Sequence, residues 1–412
     1  MLEWYHPFMT RARRLASVLL VVLLLGVLTP IGTAVAPSRV VAIGDVHGAF
    51  SEFTTLLQRV GLIDAKRRWT GGTTTFVQTG DVLDRGARSR ECLDLVMDLE
   101  RQAEKAGGKL IPLLGNHEAM NVMGDLRYVT PEIYRTFANE RSEEVRAQAL
   151  RSYVEFLSAH AGHVHSLLVP ADDATRKKWL GDHPLGSFEY RDAFGPDGKY
   201  GRWIRRHQTI VQIGDGLFLH GGLNPALPSQ SVAELNAQVA KELQDFDDLW
   251  KSLARRKLIW PYMTLREAAA LLDEETKLMQ AQPTPADPAV LAEMQKLLGY
   301  RQWMVASSDG PLWYRGLTKE SEPTFAAGLD ALLARLGARY MVVGHTVQAK
   351  ATVTAWLGNR VFAIDTGMLP EEFKGRASAL EIRDGKFTVT YGDGTTQALE
   401  APAALMVKAP IS

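Results

Sequence analysis

Gly44-Asp45-Val46-His47-Gly48 is the first of three segments that begin with glycine and each follow a short, apolar, β-rich run. The other two are Gly80-Asp81-Val82-Leu83-Asp84-Arg85-Gly86 and Gly115-Asn116-His117-Glu118, and the runs before the three segments are 40–43, 73–78 and 110–114. Amphipathic stretches at 52–60 and 87–105 separate these runs. Strands that alternate with helices indicate βαβ units and a parallel core.

Two later segments repeat the pattern with histidine. His220-Gly221-Gly222 and Gly344-His345-Thr346 follow strand-like runs at 217–219 and 340–343. Because ligands of open α/β sheets bind beyond the carboxyl ends of the strands, we expect the five segments to converge on one site. Their Asp, Asn and His side chains are oxygen and nitrogen donors that suit Mn, Fe or Zn rather than copper or an iron–sulfur cluster.

The composition is that of an ordinary folded chain. Its 412 residues are 46% hydrophobic and 23% charged, which excludes collagen, coiled coil and wholesale disorder. Basic and acidic residues both total 47, so no basic excess indicates nucleic-acid binding, and we expect no nucleic-acid partner. The single cysteine, Cys92, excludes an intramolecular disulfide and a cysteine-rich metal site. Any metal must therefore be bound by His, Asp, Glu and Asn.

The first 36 residues predict a secretory signal. Arg11, Arg13 and Arg14 precede an apolar run at 15–28, and Ala34-Val35-Ala36 supplies a small-x-small cleavage site. The run is shorter than the roughly 20 apolar residues that a membrane-spanning helix needs. We therefore expect an exported protein, periplasmic or secreted. The alternative is an uncleaved membrane anchor that holds the chain outside the cytoplasm, and only then would the membrane be a partner.

Residues 37–400 are predicted to form one domain with two helical insertions, followed by a flexible tail at 401–412. The first insertion, at about 125–207, is longer than a simple connection requires, so we expect it to cap the site. The second, at about 229–300, carries apolar residues at helical spacing. Near the end of the first insertion, four residues offer aromatic and cationic contacts to a substrate, with core packing as the alternative for the tryptophan: Tyr200, Arg202, Trp203 and Arg205.

A known family shares the most specific of these motifs. Gly115-Asn116-His117-Glu118-Ala119-Met120-Asn121, continued by Gly124-Asp125-Leu126-Arg127-Tyr128, resembles the Shewanella-like protein phosphatases, and so does Gly310-Pro311-Leu312-Trp313-Tyr314-Arg315-Gly316. These enzymes belong to the phosphoprotein phosphatase branch of the calcineurin-like metallophosphoesterases. The resemblance covers about 40–367. It implies a mixed α/β metallophosphatase fold, a four-layer sandwich of two mixed β-sheets flanked by helices, with helical insertions.

The resemblance also implies roles for individual residues. Two divalent metal ions are implied, with Mn as the first choice and Fe, Zn or Co as alternatives. Asp81 would bridge them, and the full ligand set would be Asp45, His47, Asp81, Asn116, His220 and His345. His117 would be the general acid, oriented by Asp84, and Arg85 and Arg315 would clamp the phosphoryl oxygens. Each role has a physical reason, since two cations hold both the attacking and the leaving oxygen and guanidinium groups match phosphate geometry.

The implied activity is hydrolysis of phosphate monoesters by metal-activated hydroxide, with a phosphorylated protein as substrate and an inclination towards phosphotyrosine. A secretory location suits protein dephosphorylation poorly, so a phosphoesterase acting on nucleotides or dinucleoside polyphosphates stays an alternative. A non-catalytic, metal-free scaffold is the alternative from another class. It predicts damaged ligands, whereas all six are intact in this sequence.

Four further residues near the motifs have open roles. Glu118 follows the predicted acid and is interpreted as structural. Asp365 would either bind a metal-ligating histidine or only form a turn at the end of a strand. Asp125 and Arg127 would border the site and either contact substrate or form a buried pair.

Overall fold

The computed structural model describes residues 39–160, 167–281, 287–319 and 323–402. The predicted signal at 1–36 lies outside the described residues, as does all but the beginning of the predicted tail at 401–412. No helix within the described ranges combines the length and the apolar character that crossing a membrane requires.

The described residues form eleven strands. In chain order these are β1 (Arg39–Ile43), β2 (Thr75–Gln78), β3 (Lys109–Pro112), β4 (Ile210–Ile213), β5 (Gly216–Leu219), β6 (Tyr340–Val343), β7 (Thr354–Trp356), β8 (Val361–Ala363), β9 (Ser378–Arg383), β10 (Lys386–Tyr391) and β11 (Thr396–Leu399).

Thirteen α-helices accompany these strands in the described ranges. They are α1 (Phe50–Arg59), α2 (Ser89–Lys105), α3 (Asn116–Val122), α4 (Pro131–Arg135), α5 (Ser142–Ala159), α6 (Asp173–Asp182), α7 (Ser187–Phe194), α8 (Lys199–Ile204), α9 (Val232–Arg255), α10 (Leu265–Ala281), α11 (Pro288–Leu298), α12 (Pro323–Arg335) and α13 (Pro370–Phe373). Helices α4–α8 fall within the first predicted insertion and α9–α11 within the second.

The strands form two mixed sheets, with the orders β11-β10-β9-β1-β2-β3 and β4-β5-β6-β8-β7. In the first sheet β1, β2 and β3 are parallel, as their separation by helices predicts. The antiparallel hairpin β9–β10 then joins the other side of β1. In the second sheet β5, β6 and β8 are parallel, and both edge strands are antiparallel. Two mixed sheets flanked by helices confirm the fold class that the resemblance implies.

The two sheets face each other across a shared apolar layer. Val40, Val77 and Leu380 from the first sheet pack in one cluster with Phe218 and Val342 from the second. Strands that are covered on both faces become almost continuously apolar, as the fully buried sequence of β6 illustrates.

Helices cover the outer faces of both sheets. Helix α1 turns Phe50, Phe53, Leu56 and Leu57 towards the first sheet, a spacing that places them on one helical face. Helix α12 covers the second sheet with Leu329 and other leucines. The loops at the carboxyl ends of the parallel strands are therefore left free to form a site at one edge of the sandwich.

Candidate metal centre

All five predicted segments meet at this edge. Asp45 and His47 follow β1, and Asp81, Asp84 and Arg85 follow β2. The remaining predicted residues come from the start of α3 after β3, from the ends of β5 and β6, and from the loop before α12: Asn116, His117, His220, His345 and Arg315. The predicted ligands, together with Asp84 and His117, are nearly inaccessible to solvent.

The backbone turns sharply at these residues. His47, Asp81, Asp84, Arg85 and His345 all have positive φ, between 47° and 71°. Such left-handed conformations are rare in residues other than glycine and cluster at functional sites. The chain therefore accepts local strain to point these side chains into one space.

Glycine allows the loops after β2 and β3 to touch. A Cβ added to Gly80 would lie 2.5 Å from Cα of Gly115, and a Cβ added to Gly115 would lie 2.3 Å from Oδ1 of Asp81. No side chain fits at such distances, so the glycines of the two motifs are required for the close approach of the backbones.

Asp81 occupies the centre of the cluster. Its Oδ2 lies 3.3 Å from Nε2 of His220, 3.6 Å from Nε2 of His47 and 3.8 Å from Nε2 of His117. Its Oδ1 accepts a hydrogen bond of 2.9 Å from the backbone N–H of His117, which fixes the carboxylate. A carboxylate with one oxygen anchored and the other facing several nitrogens is suited to bridge two metal ions.

The other predicted ligands lie on two sides of Asp81. On one side, Oδ2 of Asp45 is 3.8 Å from Nε2 of His47. On the other, Nε2 of His220 lies 2.7 Å from Oδ1 of Asn116 and 3.1 Å from Nδ1 of His345. The structure thus brings together the six ligands that the family resemblance implies.

Backbone carbonyls orient three of the histidines. His47 and His220 each donate from Nδ1, to the carbonyl oxygens of Leu83 and Thr79 at 3.0 Å and 2.9 Å. His345 donates from Nε2 to the carbonyl of Trp313 at 3.2 Å. Since a carbonyl only accepts, the opposite nitrogen of each ring keeps its lone pair, which faces the cluster as a metal ligand requires.

The electrostatics of the site favour cations. Burial, followed by the charges of Asp365 and Asp81, raises the pKa of Asp45 well above its usual value. Burial and the charge of Asp81 raise the pKa of Glu118 to about 7, and burial raises that of Asp365 to about 6. Crowded, buried carboxylates of this kind are stabilised by divalent ions, and their oxygen and imidazole donors fit Mn, Fe, Zn or Co.

His117 differs from the three histidines that bind carbonyls. By distance alone it forms a possible metal group with His47 and Asp81. However, its Nδ1 lies 2.7 Å from Oδ2 of the buried Asp84. Burial lowers the pKa of His117, but the charges of Asp81 and Asp84 outweigh burial and raise the pKa above its ordinary value. Burial lowers the pKa of His47 to about 3 and that of His345 well below its ordinary value, which suits neutral ligands. In His220, as in His117, the charge of Asp81 outweighs burial and raises the pKa.

Two arginines border the cluster. Arg85 stacks on Tyr128, with 4.5 Å from Cζ to the ring centre, and its Nη1 lies 2.6 Å from Oε1 of Glu372. Its buried Nε has no hydrogen-bond partner among the described residues. Arg315 donates from Nη1 to the carbonyl of His345 at 2.6 Å. Both guanidinium groups are therefore anchored at the site.

The open roles of the neighbouring residues become clear in the structure. Glu118 accepts hydrogen bonds from the backbone N–H groups of Asp81, Val82 and Gly115, at 2.7, 2.8 and 3.0 Å, so it ties two site loops together. Oδ1 of Asp365 accepts a hydrogen bond from the backbone N–H of Gly367. This bond agrees with the interpretation of Asp365 as a residue that forms a turn at the end of a strand.

Asp125 and Arg127 form an ion pair, and both line a cavity of about 200 Å³ that also borders Asn116. The two side chains therefore lie beside the site and form a pair, but the pair is not buried, because the Arg127 side chain is 57% exposed.

Near the end of the first insertion, the expected substrate contacts are wrong for Tyr200 and Arg205, and Trp203 follows its core-packing alternative. Tyr200 and Trp203 are buried, and they hydrogen-bond Asp94 and Glu100 on α2. Arg205 forms an ion pair with Asp247 of α9. These side chains stabilise the packing of the insertion, because helix amphipathicity defines a buried face without identifying its partner.

The sequence did not single out four residues that surround the predicted acid and Arg85. Tyr128 packs on His117 and Phe373 on His47, with ring centres 4.8 and 5.5 Å apart, and both rings flank Arg85. Asn121 donates a hydrogen bond to Asp84, and the hydroxyl of Tyr190 donates one to Asn121. Asn121, one helical turn after His117, and Tyr128 both lie within the motifs that carry the family resemblance, whereas Tyr190 and Phe373 had no signal.

Comparisons with known proteins agree with this geometry. The family model for calcineurin-like phosphoesterases matches residues 38–349. Shewanella-like protein phosphatase 2 of Arabidopsis thaliana is 27% identical over 350 residues, 84% of this chain and 75% of the relative. The asymmetrical bis(5'-nucleosyl)-tetraphosphatase of Anoxybacillus flavithermus is 36% identical over 194 residues, 43% of this chain and 76% of the relative. Among solved structures, the cold-active protein-tyrosine phosphatase of a psychrophilic Shewanella species shows 25% identity and a TM-score of 0.55, covering 88% of this chain and 80% of that one.

Proposed function

This chain belongs to the calcineurin-like phosphoesterase family, and from that premise we propose that it removes phosphate from phosphoproteins, with phosphotyrosine as the favoured side chain. Membership makes it a metal-dependent phosphatase, which decides against the non-catalytic scaffold. One observation carries the proposal. Oδ2 of Asp81 faces the metal-competent nitrogens of His47 and His220, and also a third histidine whose other nitrogen is bound by a carboxylate.

Six side chains would hold two divalent cations, with Asp81 between them: Asp45, His47, Asp81, Asn116, His220 and His345. When bound, such cations lower the pKa of water and offset the negative charge of a phosphate ester. We propose Mn²⁺ as the first choice of ion, with Fe, Zn or Co as alternatives. The buried carboxylates and the lone pairs of the histidines support a metal site of this composition.

His117 would act as the general acid. Its Nδ1 is held by Asp84, so its Nε2 faces the cluster and donates a proton to the oxygen that leaves phosphorus. Asp84 keeps the imidazole in this orientation and favours its protonated form. Arg85 and Arg315 would bind the non-bridging phosphoryl oxygens, because planar guanidinium groups pair with two oxygens at once.

Aromatic rings beside the site support the phosphotyrosine preference. Tyr128 and Phe373 pack on His117 and His47 and flank Arg85, so the entrance to the cluster has apolar walls that suit an aryl group. The similarities to a named tyrosine phosphatase and to a named protein phosphatase support the same substrate class.

A nucleotide or dinucleoside polyphosphate is the second candidate substrate. It is favoured by the similarity to a named tetraphosphatase, although that similarity covers less than half of this chain. The metal ligands and the acid would act in the same way on either substrate, so only the leaving group distinguishes the two candidates.

Phosphate release tests the proposal. Purified protein, stripped of metal and resupplied with Mn²⁺, would be assayed on phosphotyrosine peptides, phosphoserine and phosphothreonine peptides and a nucleotide panel, with Asp81→Asn as the blank. Fastest release from phosphotyrosine supports the proposal. Faster release from nucleotides overturns the protein substrate and keeps the chemistry, whereas no release from any substrate despite bound metal contradicts the proposed activity.

We further propose that the protein acts outside the cytoplasm, because residues 1–36 have the composition of a secretory signal. Fractionation of cells that express the full chain, with N-terminal sequencing, tests this. A mature chain that begins near residue 37 in the exported fraction supports cleavage, an intact chain in the membrane fraction supports an anchor, and an intact cytoplasmic chain contradicts export.

A further inference from the structure

A chain of buried hydrogen bonds leads from the acid His117 into the first insertion. Oδ2 of Asp84 lies 2.7 Å from Nδ1 of His117 and accepts a second hydrogen bond, at 2.9 Å, from Nδ2 of Asn121. Oδ1 of Asn121 in turn accepts a hydrogen bond of 2.6 Å from the hydroxyl of Tyr190. Each of these four residues is at most 4% exposed, so water cannot replace the bonds.

Asp84 depends on Asn121 for its orientation. Oδ1 of Asp84 is buried and has no hydrogen-bond partner within the described part of the chain, so only Oδ2 holds the carboxylate. The two groups bound to Oδ2 are the imidazole that it must orient and the Asn121 amide. Asn121 is itself anchored, because Nδ2 also donates to the carbonyl of His117 at 2.9 Å, one helical turn earlier.

Tyr190 anchors the oxygen end of the Asn121 amide. Oδ2 of Asp84 and the carbonyl of His117 only accept, so the amide nitrogen must face them, and Oδ1 on the opposite side accepts from the Tyr190 hydroxyl. A rotated amide would place two oxygen acceptors against each other and leave the acid's partner unsupported. The tyrosine ring is rigidly held, since Phe194 stacks on it and Phe137 packs edge-on, with ring centres 4.4 and 4.9 Å away.

We propose that Asn121 and Tyr190 are positioning residues for the general acid, so that the first insertion takes part in the chemical step. The inference rests on the proposed function, because it assigns a purpose to the proton that His117 transfers. Tyr190 belongs to α7, within the insertion, whereas the metal ligands come from the two sheets. A misoriented acid hinders departure of a basic leaving group and matters little for an acidic one, which departs without a proton.

The test replaces single atoms and compares two aryl phosphates. Full-length Tyr190→Phe, loaded with Mn²⁺, would be assayed on phenyl phosphate, a poor leaving group, and p-nitrophenyl phosphate, a good one. We expect the ratio of kcat on p-nitrophenyl phosphate to kcat on phenyl phosphate to rise about three- to ten-fold, the effect of one hydrogen bond, with KM and bound Mn unchanged.

Tyr200→Phe is the matched control. Tyr200 is another buried tyrosine of the insertion in the same aromatic cluster, but its hydroxyl donates to Asp94, at 2.9 Å, instead of to Asn121. We expect this variant to keep the wild-type ratio. Equal losses on both substrates in Tyr190→Phe, an unchanged ratio, or the same change in Tyr200→Phe would each overturn the inference. A wild type that cleaves neither substrate overturns the proposed function itself.

A double-mutant cycle separates positioning from general destabilisation. Asn121→Ala should raise the same ratio, because it frees the Asp84 carboxylate directly. If Tyr190 acts through Asn121, adding Tyr190→Phe to Asn121→Ala should change the ratio no further. Additive effects of the two changes on the ratio would overturn the proposed route from Tyr190 to the acid.

Discussion

Replacing Asp84 by Asn should lower the pKa of the His117 imidazole by about one unit while the ring stays in place. Nδ1 of His117 lies 2.7 Å from Oδ2 of Asp84, and the amide oxygen of Asn can still accept this bond but carries no charge. A hydrogen bond to a charged group contributes about 1.5–3 kcal/mol, against roughly 0.5–1.5 kcal/mol for a neutral pair. The midpoints of the two ranges differ by about 1.3 kcal/mol, which corresponds to about one pKa unit.

The pH dependence of kcat reads out this shift. A general acid works in its protonated form, so kcat on phenyl phosphate falls as the pH rises through the pKa of His117. Asp84 raises that pKa, and its neutralisation should therefore move the alkaline limb to lower pH by about one unit. The Mn content should stay constant, and Asp94→Asn, which changes a carboxylate bound to Lys199 and Tyr200 instead, should keep the wild-type limb. An unmoved limb in Asp84→Asn would refute the reasoning.

Three other side chains give further expectations. Asp81→Asn should lose Mn and activity together, because a neutral amide replaces the central carboxylate; metal analysis showing retained Mn would contradict this. Glu118→Gln turns an amide NH₂ towards at least one backbone N–H, a loss of about 2 kcal/mol, so calorimetry should show a Tm lower by roughly 2–4 °C in a chain of this length. Glu372→Gln should lower KM about two- to five-fold, because the half-exposed carboxylate no longer competes with phosphate for Arg85. A raised KM would contradict this and show that Glu372 instead orients the guanidinium group for binding phosphate.

Local patterns in the sequence predict the central parallel strands. They do not predict every strand at the edges of the sheets, or the order in which the strands pair. The strand β6 is predicted to the residue, and β1 and β2 nearly so, because parallel strands buried on both faces are continuously apolar. The edge strands β4 and β7 were missed, since they are short and only partly buried. The pairing of β9 with β1 joins residues far apart in the chain, and no local pattern encodes it. The two mixed sheets were predicted through the family resemblance.

The residues of the candidate site also divide into those with a local sequence signal and those without one. The predicted ligands lie in glycine-bounded turns after strands, where a local signal exists, and the structure brings all six together. The contact between Tyr190 and Asn121 spans 69 positions and depends on how the insertion packs, so the sequence gives no sign of it. For Trp203 the sequence left substrate contact and core packing open, because an amphipathic helix does not reveal what its apolar face covers, and the side chain packs on α2.

The left-handed backbone at His47, Asp81, Asp84, Arg85 and His345 has an evolutionary consequence. Glycine would adopt these conformations with about 1 kcal/mol less strain at each position, so backbone strain alone favours glycine where the proposed catalysis needs a carboxylate, an imidazole or a guanidinium. Four of the five side chains are buried, so a descendant released from selection on activity should relax this strain first at Arg85, the least buried of them, and become more resistant to heat as it loses turnover. Within a lineage of such proteins, unusual thermal stability would then be a mark of a retired active site.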